Sequence, residues 1–204
     1  PRLARRFYAV SNYARQASLD RGIAAARVQV LYNPVNMAHC QPDAQQRARI
    51  LRELGIGGDA IVLGYAGRMH AGKGIFTLLE AATAAMDDEP RLHCLWLGDG
   101  PDAPALREQV AAGPFASRHH FTGWINEVHP WYSAMSMLAF PSLAPETFGR
   151  VSVEAQAAEV PVLGSNIGGI PETMQAGITG LLLPPGDTQA WREAILTLCD
   201  PVTR

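Results

Sequence analysis

The sequence predicts an α/β domain built on a doubly wound parallel sheet. Short apolar runs of β type alternate with amphipathic stretches of helical length, the pattern of repeated βαβ units. No solenoid-like period and no low-complexity linker interrupts the alternation. With 204 residues, of which 48% are hydrophobic and 18% charged, the chain suffices for one large domain with a sizeable core.

Taken in order, the strand Phe7–Val10 precedes an amphipathic helix over Asn12–Arg21, and Val28–Leu31 precedes a helix over Ala44–Leu54. The apolar run Ile61–Tyr65 leads through a glycine loop into Ile75–Met86, and Leu92–Leu97 leads into Ala103–Ala112. His120–Thr122 is followed by a helix over Glu127–Ala134. Within the buried-looking run Met135–Pro141, Leu138–Pro141 is the strand, followed by a helix over Val151–Ala158. Val160–Gly164 with Pro171–Gln175, and Gly180–Leu183 with Thr188–Leu198, complete the alternation.

Composition narrows the function. A net charge of −2 without a basic block argues against a nucleic-acid partner. Cys40, Cys94 and Cys199 are widely spaced and form neither a Cys-x-x-Cys metal site nor a disulfide framework. That points to a reducing, cytoplasmic setting. No apolar run reaches the ~18 residues that mark a membrane-spanning helix, so no transmembrane segment is expected, although peripheral membrane association of a full enzyme stays open.

The most informative segment is Pro145-Glu146-Thr147-Phe148-Gly149-Arg150-Val151-Ser152-Val153-Glu154. Its position puts Glu146 after the carboxyl end of a strand and Glu154 on the helix that follows. Ligands of open α/β sheets bind at that edge. Two carboxylates with free backbone N–H groups between them suit a ligand carrying both hydroxyls and phosphate, such as a nucleotide-sugar.

Gly67-Arg68-Met69-His70-Ala71-Gly72-Lys73-Gly74 reads as G-x-x-x-x-G-K, close to the phosphate loop of nucleotide hydrolases. The next residue should be Ser or Thr, to hold magnesium, and it is Gly74. What remains is a loop with two cations, Arg68 and Lys73, before a helix, a combination that favours phosphate. His70 is expected to be a solvated loop residue. In Gly98-Asp99-Gly100-Pro101 a looser dinucleotide fingerprint tolerates Ala103 at the third glycine position, but Pro101 and the late place in the chain make it a poor one. It reads as a tight turn bordering the cleft. Asp87-Asp88 reads as a solvated helix end, no Asp-x-Asp metal motif is present, and Trp131, Tyr132 and Phe140 read as core.

Together these segments resemble the C-terminal domain of family 4, or group 1, glycosyltransferases. The matching pieces include Ala9-Val10-Ser11-Asn12-Tyr13-Ala14-Arg15, Tyr32-Asn33-Pro34-Val35-Asn36, Gly67-Arg68 with Lys73-Gly74, and Leu97-Gly98-Asp99-Gly100-Pro101. Phe121-Thr122-Gly123, the Glu146-to-Glu154 segment, Gly168-Gly169-Ile170-Pro171-Glu172 and Thr179-Gly180-Leu181-Leu182 follow in the family's order. The chain departs from the family at Asn33-Pro34-Val35-Asn36, often Asn-Gly-Val-Asp, and at Arg150, usually aliphatic. Gln156 and Glu159 stand where the family usually has Met and Gly.

The resemblance implies one Rossmann-like half of a two-domain enzyme, with an N-terminal acceptor domain outside this chain and this fragment inactive alone. It implies a retaining, metal-independent transferase, a hexosyltransferase, taking a UDP- or GDP-linked sugar, with no cofactor. Arg68 and Lys73 would hold the diphosphate, Glu146 the hydroxyls of the transferred sugar, and Glu154 the ribose. Backbone N–H groups of Phe148, Gly149, Arg150 and Val151 would meet sugar and phosphate. Gly123, Trp124 and Ile125 would lie along the base. Glu146, Arg68 and Lys73 are the candidate catalytic groups. Two rivals remain: glycoside hydrolysis, in which the phosphate-binding cations have no purpose, and a non-catalytic nucleotide-sugar-binding module.

Overall fold

The computed structural model of the protein describes residues 5–200. All eight expected strands form: β1 (Phe7–Ala9), β2 (Val28–Val30), β3 (Ile61–Ala66), β4 (Leu92–Leu97), β5 (His119–Gly123), β6 (Met137–Phe140), β7 (Val162–Ser165) and β8 (Gly180–Leu183). The α-helices are α1 (Asn12–Asp20), α2 (Ala44–Glu53), α3 (Ile75–Met86), α4 (Ala103–Ala112), α5 (His129–Tyr132), α6 (Arg150–Ala157) and α7 (Thr188–Cys199).

Strands β3 to β8 form one parallel sheet in the order β5-β4-β3-β6-β7-β8. Because strand side chains alternate between faces, each strand feeds two cores. Leu63, Tyr65, Cys94, Trp96, Met137 and Ala139 pack with Leu78 of α3, Leu106 of α4 and Trp191 of α7. Val62, Leu95, Leu97, Leu138 and Phe140 pack with Ile50 and Leu51 of α2, Tyr132 of α5 and Ala155 of α6. Helices therefore cover both faces, and the sheet is doubly wound. Burying one such Leu or Ile side chain contributes ~1.5–3 kcal/mol, which is why both layers hold against the entropy of ordering the chain.

The strand order reverses between β3 and β6. Loops leaving the carboxyl ends of those two strands diverge, and the crevice between them is where open α/β sheets take ligands.

The structure differs from the expected layout at three points. Among the described residues β1 and β2 pair only with each other, as a separate two-stranded parallel sheet around α1. Periodicity identifies a strand without saying which sheet it joins. The helix expected over residues 127–134 is the single turn α5, which begins at His129 with Pro130 in its first turn and ends at Tyr132. The helix expected over 171–175 is a 3-10 turn, Ile170–Thr173. There the Thr173 hydroxyl donates to the Ile170 carbonyl at 2.7 Å, a local bond that competes with helix propagation. Glu159, where the family usually has Gly, adopts a left-handed conformation with φ 61° just past α6. A glycine normally fills such a helix end.

Candidate functional site

The loop after β3 is held by its own polar groups. Tyr65 donates to the Arg68 carbonyl at 2.8 Å. Burial, and then the nearby Glu146 carboxylate, push the Tyr65 phenol well above its ordinary range, so it stays a donor. His70 is exposed, yet its Nδ1 accepts from the Gly72 N–H at 3.0 Å and caps the short turn Ala71–Lys73. From the other side, the turn after β4 braces the loop: Met69 N–H donates to Asp99 O at 2.9 Å, and Ala71 N–H donates to Asp102 Oδ2 at 2.7 Å.

Gly74 explains why the nucleotide-hydrolase pattern breaks. It lies at φ +70°, and a Cβ placed there would fall 1.8 Å from the Pro141 carbonyl oxygen. No serine or threonine fits. The same close approach joins the two loops, since Leu143 N–H donates to Gly72 O at 3.0 Å.

The loop after β6 carries Glu146. One oxygen, Oε1, is bonded by the Lys73 ammonium and accepts from the buried Ser142 hydroxyl at 2.7 Å. A carboxylate fixed by a cation and a hydroxyl keeps its second oxygen, Oε2, in a set direction. Gly149 starts α6 at φ +141°, pressed against the Phe140 ring, with no side chain capping the helix. Ser11, Asp43 and Asp187, by contrast, cap α1, α2 and α7. The first N–H groups of α6 have no partner within the helix, and they form the positive end of its dipole.

These parts enclose a cleft of about 310 Å³ at the switch point. Arg68, Lys73, Glu146, Phe148, Gly149, Arg150 and Val151 all line it, together with Tyr65 and Asn33. The Arg68 guanidinium is exposed and makes no ion pair among the described residues. Two larger grooves, of about 660 and 680 Å³, lie between α3 and α4 and beside α2. Neither gathers cations around a helix N-terminus at the carboxyl edge.

Glu154 is elsewhere. It is 5% exposed, outside the cleft lining, with Oε2 accepting from Tyr132 OH at 3.1 Å and Oε1 from Arg150 Nη2 at 2.9 Å. Gly123, Trp124 and Ile125 also lie outside the lining. Gly123 ends β5, two strands from β3 on the same edge, and Trp124 and Ile125 follow it; Trp124 is 74% exposed and Ile125 packs against the second core. Ser142 and the Tyr132 hydroxyl escaped the sequence reading. Ser142 follows the β6 run by two residues and precedes Glu146 by four, a weak signal; Tyr132 has the same composition as any core tyrosine.

Asp88 is ion-paired with Arg192 rather than merely solvated. Cys40, Cys94 and Cys199 are all buried. Among the described residues no group of three metal-ligating side chains forms, and no helix is long and apolar enough to cross a membrane.

The curated relatives that match include D-inositol 3-phosphate glycosyltransferase of Kribbella flavida, 31% identical over 195 residues. That match covers 90% of this chain and 45% of the relative. The Corynebacterium glutamicum (strain R) protein of the same name is 34% identical over 179 residues, covering 83% of this chain and 41% of its own. This chain thus spans less than half of either relative. Among solved structures, Anabaena Alr3699/HepE in complex with UDP-glucose superposes with a TM-score of 0.90 at 26% identity, covering 98% of this chain and 56% of that one. The family model of the glycosyl transferases group 1 matches residues 60–200. The six-stranded sheet and all of the cleft lining except Asn33 fall within that span, and the chain belongs to the glycosyl transferases group 1 family.

Proposed function

We propose that this chain is the donor-binding half of a retaining, metal-independent glycosyltransferase that moves a hexose from a UDP-sugar to an acceptor hydroxyl. The observation that carries the reading is one arrangement: Lys73, Glu146 and the uncapped N-terminus of α6 face one cleft at the β3–β6 switch point. A diphosphate suits the cations and the helix end. Glu146 Oε2 suits sugar hydroxyls, and the backbone from Phe148 to Val151 suits phosphate and sugar oxygens. UDP is preferred to GDP because the Anabaena neighbour is a UDP-glucose complex. The names of the curated relatives favour a hexosyl group.

In the reaction, the acceptor oxygen bonds to the anomeric carbon as the bond from that carbon to the β-phosphate oxygen breaks. The acceptor proton passes to the departing phosphate. Arg68, Lys73 and the α6 dipole stabilise the charge that develops there. Glu146 orients the sugar and is not the nucleophile, a role consistent with Lys73 and Ser142 both occupying its Oε1. The acceptor site belongs to a preceding domain, so the chain alone binds donor without transferring it. A cytoplasmic setting fits three cysteines spaced too widely in the sequence for a disulfide framework.

The test is a thermal-shift screen of the chain against UDP-glucose, GDP-mannose and ADP-glucose, each in EDTA and in magnesium. UDP-glucose should raise Tm equally in both buffers, since a ligand that binds only the folded state stabilises it. Replacing Lys73 with Ala should weaken binding by roughly 1.5–3 kcal/mol, the size of a charge-assisted hydrogen bond. An obligatory metal, or no response to any of the three, overturns the proposal.

A further inference from the structure

We propose that Glu172, acting with Ser11 and Tyr32, is a positioning clamp that couples the β1–α1–β2 unit to the loop carrying Glu146. The clamp concerns the same cleft and rests on the donor-site reading for its function, but not for its mechanics.

Among the described residues no strand pairing joins the β1–β2 sheet to the six-stranded sheet. Side chains join the two, and they converge on the donor loop. The Glu172 carboxylate sits at the N-terminus of α1. Its Oε2 accepts from the Asn12 backbone N–H at 2.7 Å, from Asn12 Nδ2 at 2.8 Å and from Tyr32 OH at 3.1 Å. Its Oε1 accepts from the Tyr13 N–H at 2.8 Å. A carboxylate there meets both the unbonded N–H groups and the positive end of the helix dipole. Burial alone would raise the Glu172 pKa, yet the bonds from Asn12, Tyr13 and Tyr32 outweigh it and hold the group below the ordinary carboxylate range.

Ser11 bonds in two directions. Its Oγ accepts from Ala14 N–H, capping α1, and donates to the Thr147 carbonyl in the donor loop. The Tyr32 ring lies 5.8 Å, centre to centre, from that of Phe148. Glu172 is itself anchored to the site. Gly169 N–H, just before its 3-10 turn, donates to Glu146 O at 2.7 Å. Gln156 of α6 donates to Thr173 O at 2.7 Å, and the Ser152 hydroxyl of α6 donates to Thr173 Oγ1 at 2.8 Å. The turn that carries Glu172 therefore links α1, the Glu146–Phe148 loop and α6. A helix cap alone needs no contact with Thr147 or Phe148. A domain joined through β1–β2 would be held at a set angle over the cleft, and donor binding on the loop would stiffen that joint.

Hydrogen exchange on the ligand-free chain tests the coupling, with Glu172→Ala as the main variant and Tyr32→Phe as a milder one that keeps the carboxylate. In Glu172→Ala, amides of residues 12–14 and of residues 146–151 should both exchange at least tenfold faster, with β3 and β4 unchanged. Tyr32→Phe should move the same two segments by less. Titration with UDP-glucose should show a three- to tenfold weaker Kd in Glu172→Ala. Faster exchange confined to residues 12–14, in either variant, overturns the proposal and leaves Glu172 a local helix cap. A wild-type chain that binds no nucleotide-sugar but shows the paired exchange response keeps the coupling and removes the donor reading, so the two fail separately.

Discussion

Both oxygens of Glu154 are in use, one by the buried Tyr132 hydroxyl and one by the exposed Arg150 guanidinium. The second bond is the weaker obstacle. Its Arg150 end is 64% exposed although the Glu154 carboxylate is buried, so the guanidinium can swing into solvent while the Tyr132 bond stays in place. On the proposed donor reading, a ribose would take the place of Arg150, and Tyr132 would keep the carboxylate aimed. Glu146 belongs to a different network, with Lys73 and Ser142. The two glutamates should then separate by ligand. Glu154→Gln should weaken UDP and UDP-glucose alike, by roughly 1–3 kcal/mol. Glu146→Gln should leave UDP nearly unchanged and weaken UDP-glucose. Calorimetry with both ligands on both variants decides it, and equal losses in the Glu146 variant would put the sugar somewhere else. The sequence made the two carboxylates visible because they sit eight positions apart in one segment. It could not show Tyr132 OH on Glu154 or Ser142 on Glu146, because a hydroxyl's partner depends on side-chain direction, which spacing alone does not set.

At the scale of elements, the site is made by three turns pressed together rather than by any one motif. The phosphate-type loop, the turn after β4 and the Glu146 loop share backbone bonds through Met69, Gly72 and Leu143. Gly74 is where that packing is tightest, and it is also the residue that spoils the nucleotide-hydrolase pattern. Gly74→Ser completes the motif G-x-x-x-x-G-K-S on paper. In the fold, serine at φ +70° is strained, and its Cβ meets Pro141 O. The variant should lose at least about 1 kcal/mol of stability, the floor for placing a side chain where φ is positive, and should gain no magnesium dependence. Urea unfolding and UDP-glucose titration with and without magnesium check both halves. A stable, magnesium-requiring Gly74→Ser would mean that the loop works as in the hydrolases. The strands were the easiest elements to read, since each is a short apolar run between turns. α5 and the 170–173 turn were overread, because Pro130 and the Thr173 hydroxyl limit helices that composition alone favours.

For the whole molecule, alternating apolar runs were enough to give a doubly wound sheet, because burial on both faces requires that pattern. They did not place β1 and β2 in their own sheet, a matter of pairing partners rather than of period. Nor did they reveal the histidines at the β4–β5 edge of the fold. His93 Nδ1 and His120 Nε2 lie 3.1 Å apart, and Trp96 Nε1 donates to His119 Nδ1 at 3.1 Å. Burial first, then His120, His93 and Arg118, lower the His119 pKa to about 4. Burial likewise lowers His93 and His120, opposed at His93 by Asp59. All three histidines are thus neutral in the fold over a range where the unfolded chain takes up protons. For a base whose folded pKa is depressed, the stabilising effect is complete above the unfolded value, ~6.5, and is lost as pH falls below it. For His119 the loss continues down to about pH 4, and it should amount to on the order of 3 kcal/mol. Urea midpoints measured from pH 7.5 to 4.5 should fall steadily below pH 6.5. In His119→Gln, whose amide oxygen can still accept from Trp96, the slope should be shallower while stability at pH 7.5 changes little. The same acid slope in wild type and variant would place the proton uptake on groups other than His119.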